Sequence, residues 1–228
     1  ATIIGKAIYW IKTKPENNWL LSASDLDAFC AKDPGRPRIV ILNYPSNPTG
    51  ASYSNEELKN IGEVARKYKT ILISDEIYGE LHHQGKHISI AHYYPEGTII
   101  SSGLSKWCGA GGWRMGMFTF PPNLRWLLDA ASTVASETYT TTSAPIQYAS
   151  ITAYEESPII DKQLKDSRRI LEVVGNYLFE RLEKVAIHTP RPEGGFYLFP
   201  DFSAYRETLQ KRGISSSKDL CDQLLQET

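Results

Sequence analysis

Two unbroken apolar runs fix what this chain can become. Residues 38–43 (Arg-Ile-Val-Ile-Leu-Asn) and 70–74 (Thr-Ile-Leu-Ile-Ser) are short, β-branched and bounded by turn formers. Runs of this kind read as strands buried on both faces of a parallel sheet. One amphipathic helix fits between them. Ser54 stands as its N-cap and Glu57 completes a capping box. Leu58, Ile61, Val64 and Ala65 recur at helical spacing towards Tyr68, giving the helix a face to bury. Strand, helix, strand is a βαβ unit, so the two strands are parallel and the crossover is right-handed.

The rest of the chain extends that unit. Thr98–Ser101 reads as a third strand, and Trp113–Phe120 as a returning strand stopped by Pro121 and Pro122. Upstream, β-prone runs at Thr2–Ile4 and Ala7–Ile11 precede a short helix capped at Ser24 and ending near Ala31. Downstream, helices are predicted over residues 123–135, 144–156 and 159–184, then a strand within Gly194–Pro200 and a last helix from Ser216. A helix as long as the third often joins two domains. The expected division is therefore a large domain, residues 1–170 and N-terminally incomplete, and a partial small domain, residues 171–228. Neither end resembles a natural terminus, so the sequence reads as a piece of a longer protein.

Composition narrows the function classes. Of 228 residues, 41% are hydrophobic, enough for a substantial core. A formal net charge of -1 without a basic cluster gives no footprint for nucleic acid or an anionic membrane surface. No apolar run reaches the length of a membrane span. Cys30, Cys108 and Cys221 are odd in number and unpaired in spacing, as in a reduced cytoplasmic protein. No metal-ligand spacing is present. His82 and His83 are adjacent in a polar connection, residues 79–97, and read as solvated.

In an open parallel sheet, ligands bind beyond the carboxyl ends of the strands. Asn47 follows the first strand, Asp75 and Tyr78 the second, and Lys106 the third. Lys106 lies in a Ser-Gly-Leu-Ser turn region, with Gly109, Gly111, Gly112 and Arg114 just beyond. Hydroxyls, free amides and a guanidinium suit a phosphate, and a lysine amine can form a Schiff base. Together these are the requirements of a pyridoxal-phosphate site.

Four segments in order carry a resemblance: Asn47-Pro48-Thr49-Gly50; Ser74-Asp75-Glu76-Ile77-Tyr78; Ser105-Lys106; and Gly112-Trp113-Arg114-Met115-Gly116. Over essentially the whole chain the sequence resembles the class I/II aminotransferases, fold-type I pyridoxal-phosphate enzymes. The resemblance implies an α/β fold: the three-layer, mostly parallel sheet of the large domain plus the start of a smaller α+β domain. It implies that Lys106 binds the cofactor covalently and then moves the substrate's proton. Asp75 would pair with the pyridine nitrogen. Asn47 and Tyr78 would bond the ring's phenolate oxygen, and Arg114 and Ser105 the phosphate. Many relatives carry serine or threonine three residues before the lysine. Gly103 stands there in this chain, so Ser102 is the candidate to fill that place. Gly194-Gly195-Phe196-Tyr197 resembles the family's small-domain strand near the substrate.

The implied reaction moves an amino group from an amino acid to a 2-oxo acid, in a cytoplasmic homodimer with no nucleic-acid or membrane partner. The same cofactor chemistry also serves lyases on this scaffold and cofactor-binding sensor domains of transcription regulators. Three family features are missing from the residues given: an N-terminal glycine loop, an aromatic residue stacking on the pyridine ring, and a C-terminal arginine for the substrate carboxylate. Residues 1–228 alone are therefore expected to transaminate weakly or not at all.

Overall fold

The computed structural model describes residues 5–227. Four strands form one sheet in the order β1 (Ile39–Asn43), β2 (Ile71–Asp75), β3 (Thr98–Gly103) and β4 (Gly116–Thr119). The first three are parallel and β4 runs antiparallel to β3. Asn43 pairs in register with Asp75, and Asp75 with Ser101, so β1 and β2 finish level and β3 runs two residues further, to Gly103. That edge is what positions the site.

Helix α1 (Ala23–Ala31) is capped two residues earlier than expected, by Ser22 rather than Ser24; Ser22 Oγ accepts from Asp25 N at 3.0 Å. Helix α2 (Asn55–Lys67) has the anticipated capping box: Glu57 N donates to Ser54 Oγ and Ser54 N to Glu57 Oε2, at 3.3 and 2.8 Å. Both helices pack on one face of the sheet. Leu26 and Cys30 from α1, Leu58, Ile61 and Ala65 from α2, and Leu42 and Leu72 from the strands form the main core with Tyr44, Ile90 and Tyr94. Val64 is half-buried at its edge.

β1 is not buried on both faces. Val40 and Leu42 turn inward, but Ile39 and Ile41 are 57% and 68% exposed. An apolar run tells how much surface a strand could bury, not whether a second layer lies over it. Residues 7–11 form no strand, because no neighbouring strand pairs with them among the described residues; Thr2–Ile4 lie outside those residues.

Beyond β4 come α3 (Arg125–Thr138), α4 (Ala144–Tyr154) and the long α5 (Pro158–Glu183). Two short helices follow, α6 (Arg206–Lys211), which sequence periodicity did not reveal, and α7 (Ser217–Glu227). Residues 194–200 do not form the expected strand. Only an isolated bridge occurs there, His82 with Gly194, with another just beyond, His188 with Asp201. Leu164 of α5 joins a second core with Tyr78, Leu81, Leu104 and Trp107.

Candidate functional site

Three loops leave this edge of the sheet and converge. After β1 the chain turns through two cis prolines, Pro45 and Pro48. Asn43 Oδ1 accepts from Asn47 N at 2.8 Å, which ties the end of the strand to the Asn-Pro turn. After β2, Asp75 Oδ1 accepts from Ile77 N at 3.3 Å and Gly79 N donates to Glu76 O at 2.8 Å. That turn delivers Tyr78 next to Asp75, whose charge acts on its hydroxyl. Asp75 keeps the remaining capacity of its carboxylate for a further donor.

After β3 the chain makes the lysine turn. Lys106 is half-buried, and its Nζ lies 5.5 Å from the centroid of Tyr78 and 5.8 Å from that of Phe196. Among the described residues no carboxylate pairs with it. Its neighbour Trp107 is buried against Tyr154 of α4, with ring centroids 5.8 Å apart, which anchors the turn from below.

The predicted residues fall into two groups. Asn47, Asp75, Tyr78 and Lys106 come together. The Asn47 side chain and the Asp75 charge both act on the Tyr78 hydroxyl. That hydroxyl is pushed well above the usual phenol range, first of all by burial, with Asn47 pulling the other way. Ser102, Ser105 and Arg114 line the lysine turn more loosely. Ser102 is half-buried, and its hydroxyl bonds Tyr154, whose own phenol burial pushes up. Ser105 is half-buried in the turn itself. Arg114 is exposed, has left-handed backbone at φ 58°, and donates from Nη1 to Gly111 O at 2.8 Å. It precedes β4 rather than lying in a strand.

Two histidines expected in solvent are buried. His83 Nε2 lies 2.9 Å from Gly195 O, and His82 bridges to Gly194. Desolvation, aided by nearby His87, His83 and Arg168, lowers the His82 pKa to about 4. The reason is long-range: residues 193–195 lie against residues 81–83 and shut out water. The same contact brings Tyr197 to Tyr78, with hydroxyls 2.8 Å apart. Nothing local in the sequence marks Tyr197 as a partner of Tyr78; only the paired glycines before it hint at a tight approach.

The whole chain, residues 1–228, matches the family model described as aminotransferase class I and II. The chain belongs to that family. An aspartate aminotransferase of Geobacillus stearothermophilus is 35% identical over 197 residues, covering 84% of this chain and 48% of that protein. An asparagine–oxo-acid transaminase of Streptococcus mutans is 31% identical, over 96% of this chain and 54% of its own length. The solved structure of Thermus thermophilus aspartate aminotransferase with maleate superposes at a TM-score of 0.82 and 27% identity, covering 94% of this chain and 56% of that one. The chain thus spans about half the length of these aminotransferases. Its mixed, mostly parallel open sheet is the architecture they share.

Proposed function

We propose that the protein transfers an amino group from an amino acid to a 2-oxo acid, with 2-oxoglutarate as the expected acceptor, using pyridoxal phosphate. The observation that carries this reading is the convergence at the sheet edge. A lysine amine with no carboxylate partner among the described residues faces Tyr78 and Phe196, after a strand that pairs with the one ending in Asp75.

The donor set fits the cofactor. Asp75 has acceptor capacity for a protonated ring nitrogen, and its negative charge would favour that proton. Asn47 and Tyr78, whose side chains act on one another, offer donors for the ring oxygen. Ser105, Ser102 and Arg114 offer hydroxyls and a guanidinium for the phosphate; Arg114 would exchange its bond to Gly111 O for a two-pronged one. When bound, the cofactor supplies an electron sink for the substrate's α-carbon. Lys106 would hold the cofactor covalently and, once displaced, carry the proton to and from that carbon. Trp107 and Tyr154 keep the lysine turn in place through this exchange.

The wider setting belongs to the same proposal. The described residues contain no helix long and apolar enough to cross a membrane, and their cysteines are free, in keeping with a cytoplasmic enzyme. Trp126, Tyr148 and Ile151 leave large apolar surface on α3 and α4, which suits a homodimer. The division near residue 170, inside α5, would separate the cofactor domain from the small domain.

Absorbance tests the core of the reading. The intact protein with pyridoxal phosphate should show a band near about 420 nm from a Schiff base, and Lys106→Ala should lack it. An identical band in Lys106→Ala would overturn the assignment.

A further inference from the structure

Residues 193–197 are threaded between two of the site loops. Glu193 N and Gly194 N donate to Gly50 O at 2.8 and 3.1 Å, behind the turn that carries Asn47. On the other side His83 N donates to Glu193 O at 2.8 Å and Gly195 N to Leu81 O at 3.0 Å. The passage is narrow. A Cβ on Gly194 would stand 2.5 Å from Pro45 Cγ, and Gly195 has φ +66°. A segment held from both sides by backbone bonds delivers its next side chains to a fixed place.

That place is Tyr78. The hydroxyls of Tyr197 and Tyr78 are 2.8 Å apart, and their rings meet edge-on with centroids at 5.5 Å. Tyr78 is buried, so its hydroxyl has few neighbours: Tyr197, the Asn47 side chain, the Asp75 charge, and the Lys106 amine over its ring. A phenol has one proton to give. If Tyr78 gives it to Tyr197, nothing remains to donate into the site. If Tyr197 donates to the Tyr78 oxygen, the Tyr78 proton is free to point at the site. A bond received also strengthens the bond given, because linked hydrogen bonds polarise one another.

We infer that Tyr197 is a positioning residue for the reaction: its hydroxyl donates to Tyr78 and directs the Tyr78 proton at the ring oxygen of the cofactor. The inference rests on the proposed pyridoxal-phosphate function. It assigns a part in the site chemistry to a side chain 119 positions away in sequence.

The sign of the effect follows. Donation by Tyr78 draws charge from the ring oxygen and so weakens its hold on the proton at the Lys106 nitrogen. Losing Tyr78's hydroxyl leaves that proton bound to higher pH. Losing Tyr197's hydroxyl does the same to a smaller degree.

The test is a pH titration of the long-wavelength band in the intact protein loaded with pyridoxal phosphate, for wild type, Tyr78→Phe, Tyr197→Phe and the double variant. Tyr78→Phe should raise the proton affinity about tenfold and Tyr197→Phe about threefold, the scale of one hydrogen bond to each group. In the Tyr78→Phe background the added Tyr197→Phe change should move nothing, because the two act through one hydroxyl. A purely structural Tyr197 would not lose its effect in that way. A Tyr197→Phe protein that titrates like wild type, or a shift that persists undiminished without the Tyr78 hydroxyl, overturns the inference while leaving the cofactor reading intact. A wild-type protein with no Lys106-dependent band overturns both.

Discussion

Helices α2 and α5 are both amphipathic, and they differ in how much of their apolar face is buried. α2, 13 residues long, buries Leu58, Ile61, Gly62 and Ala65. α5, at 26 residues, buries Leu164 alone. Ile159, Ile170, Val173 and Tyr177 of α5 remain 58% to 80% exposed. The difference separates two tasks within one chain. The β1–α2–β2–β3 unit is complete enough to hold the strand ends and their three loops. The stripe that Ile159, Ile170, Val173 and Tyr177 form is uncovered among the described residues; α5 is held to the rest by Leu164 in the second core, with Ile160 and Leu171 packed against that core, and by a few polar bonds. Arg168 donates to Glu80 O and Glu80 Oε2 at 2.6 and 2.7 Å, and Gln84 bonds Glu172.

Substitutions can break or sharpen this contrast. Ile61→Ala removes a fully buried side chain from the main core and should cost about 2–5 kcal/mol of unfolding free energy. Denaturant melts measure it, and a loss no larger than that of a surface variant would contradict the division.

The next effect lies where the two regions meet. His82 is held neutral, with a pKa near 4 against 6.5 unperturbed. The unfolded chain then binds more protons than the folded one as pH falls below 6.5, so stability is lost on acidification and most of the loss is complete by about pH 4. The expected penalty is about 1–3 kcal/mol. His82→Asn should flatten that part of the stability profile; an unchanged acid limb would place the sensitivity elsewhere.

Helix caps give a smaller effect. Ser54→Ala should cost about 1 kcal/mol, because Ser54 bonds the first turn of α2. Ser157→Ala at the start of α5 should cost almost nothing, because Ser157 makes no side-chain cap bond. Ile170→Ala is expected to be comparably small, within about 0.5 kcal/mol as for other exposed positions. A large loss there would show that the stripe of α5 is covered in solution.

What the sequence revealed followed from locality. The capping box of α2, the two apolar strands and the polar residues after each strand are all encoded within a few positions, and the structure has them. Asn47, Asp75, Tyr78 and Lys106 could be gathered because parallel strands with ordinary crossovers put their carboxyl ends on one side. Pairings across the chain were not legible. The burial of His82 and His83 and the approach of Tyr197 all depend on residues 193–197 returning to the loops near Gly50 and Leu81. The exposure of Ile39 and Ile41 is of the same kind, since a strand's own residues do not say what lies over its second face. Arg114 shows an intermediate case: its proposed phosphate contact rests on the resemblance, while its left-handed backbone ahead of β4 became visible only in three dimensions.

The central claim is that one amine at the rim of the sheet anchors the cofactor. Borohydride reduction of the intact protein saturated with pyridoxal phosphate, followed by peptide mapping, addresses it directly. The account predicts a single stable label on Lys106. A label confined to any other lysine, or no label at all, would contradict it.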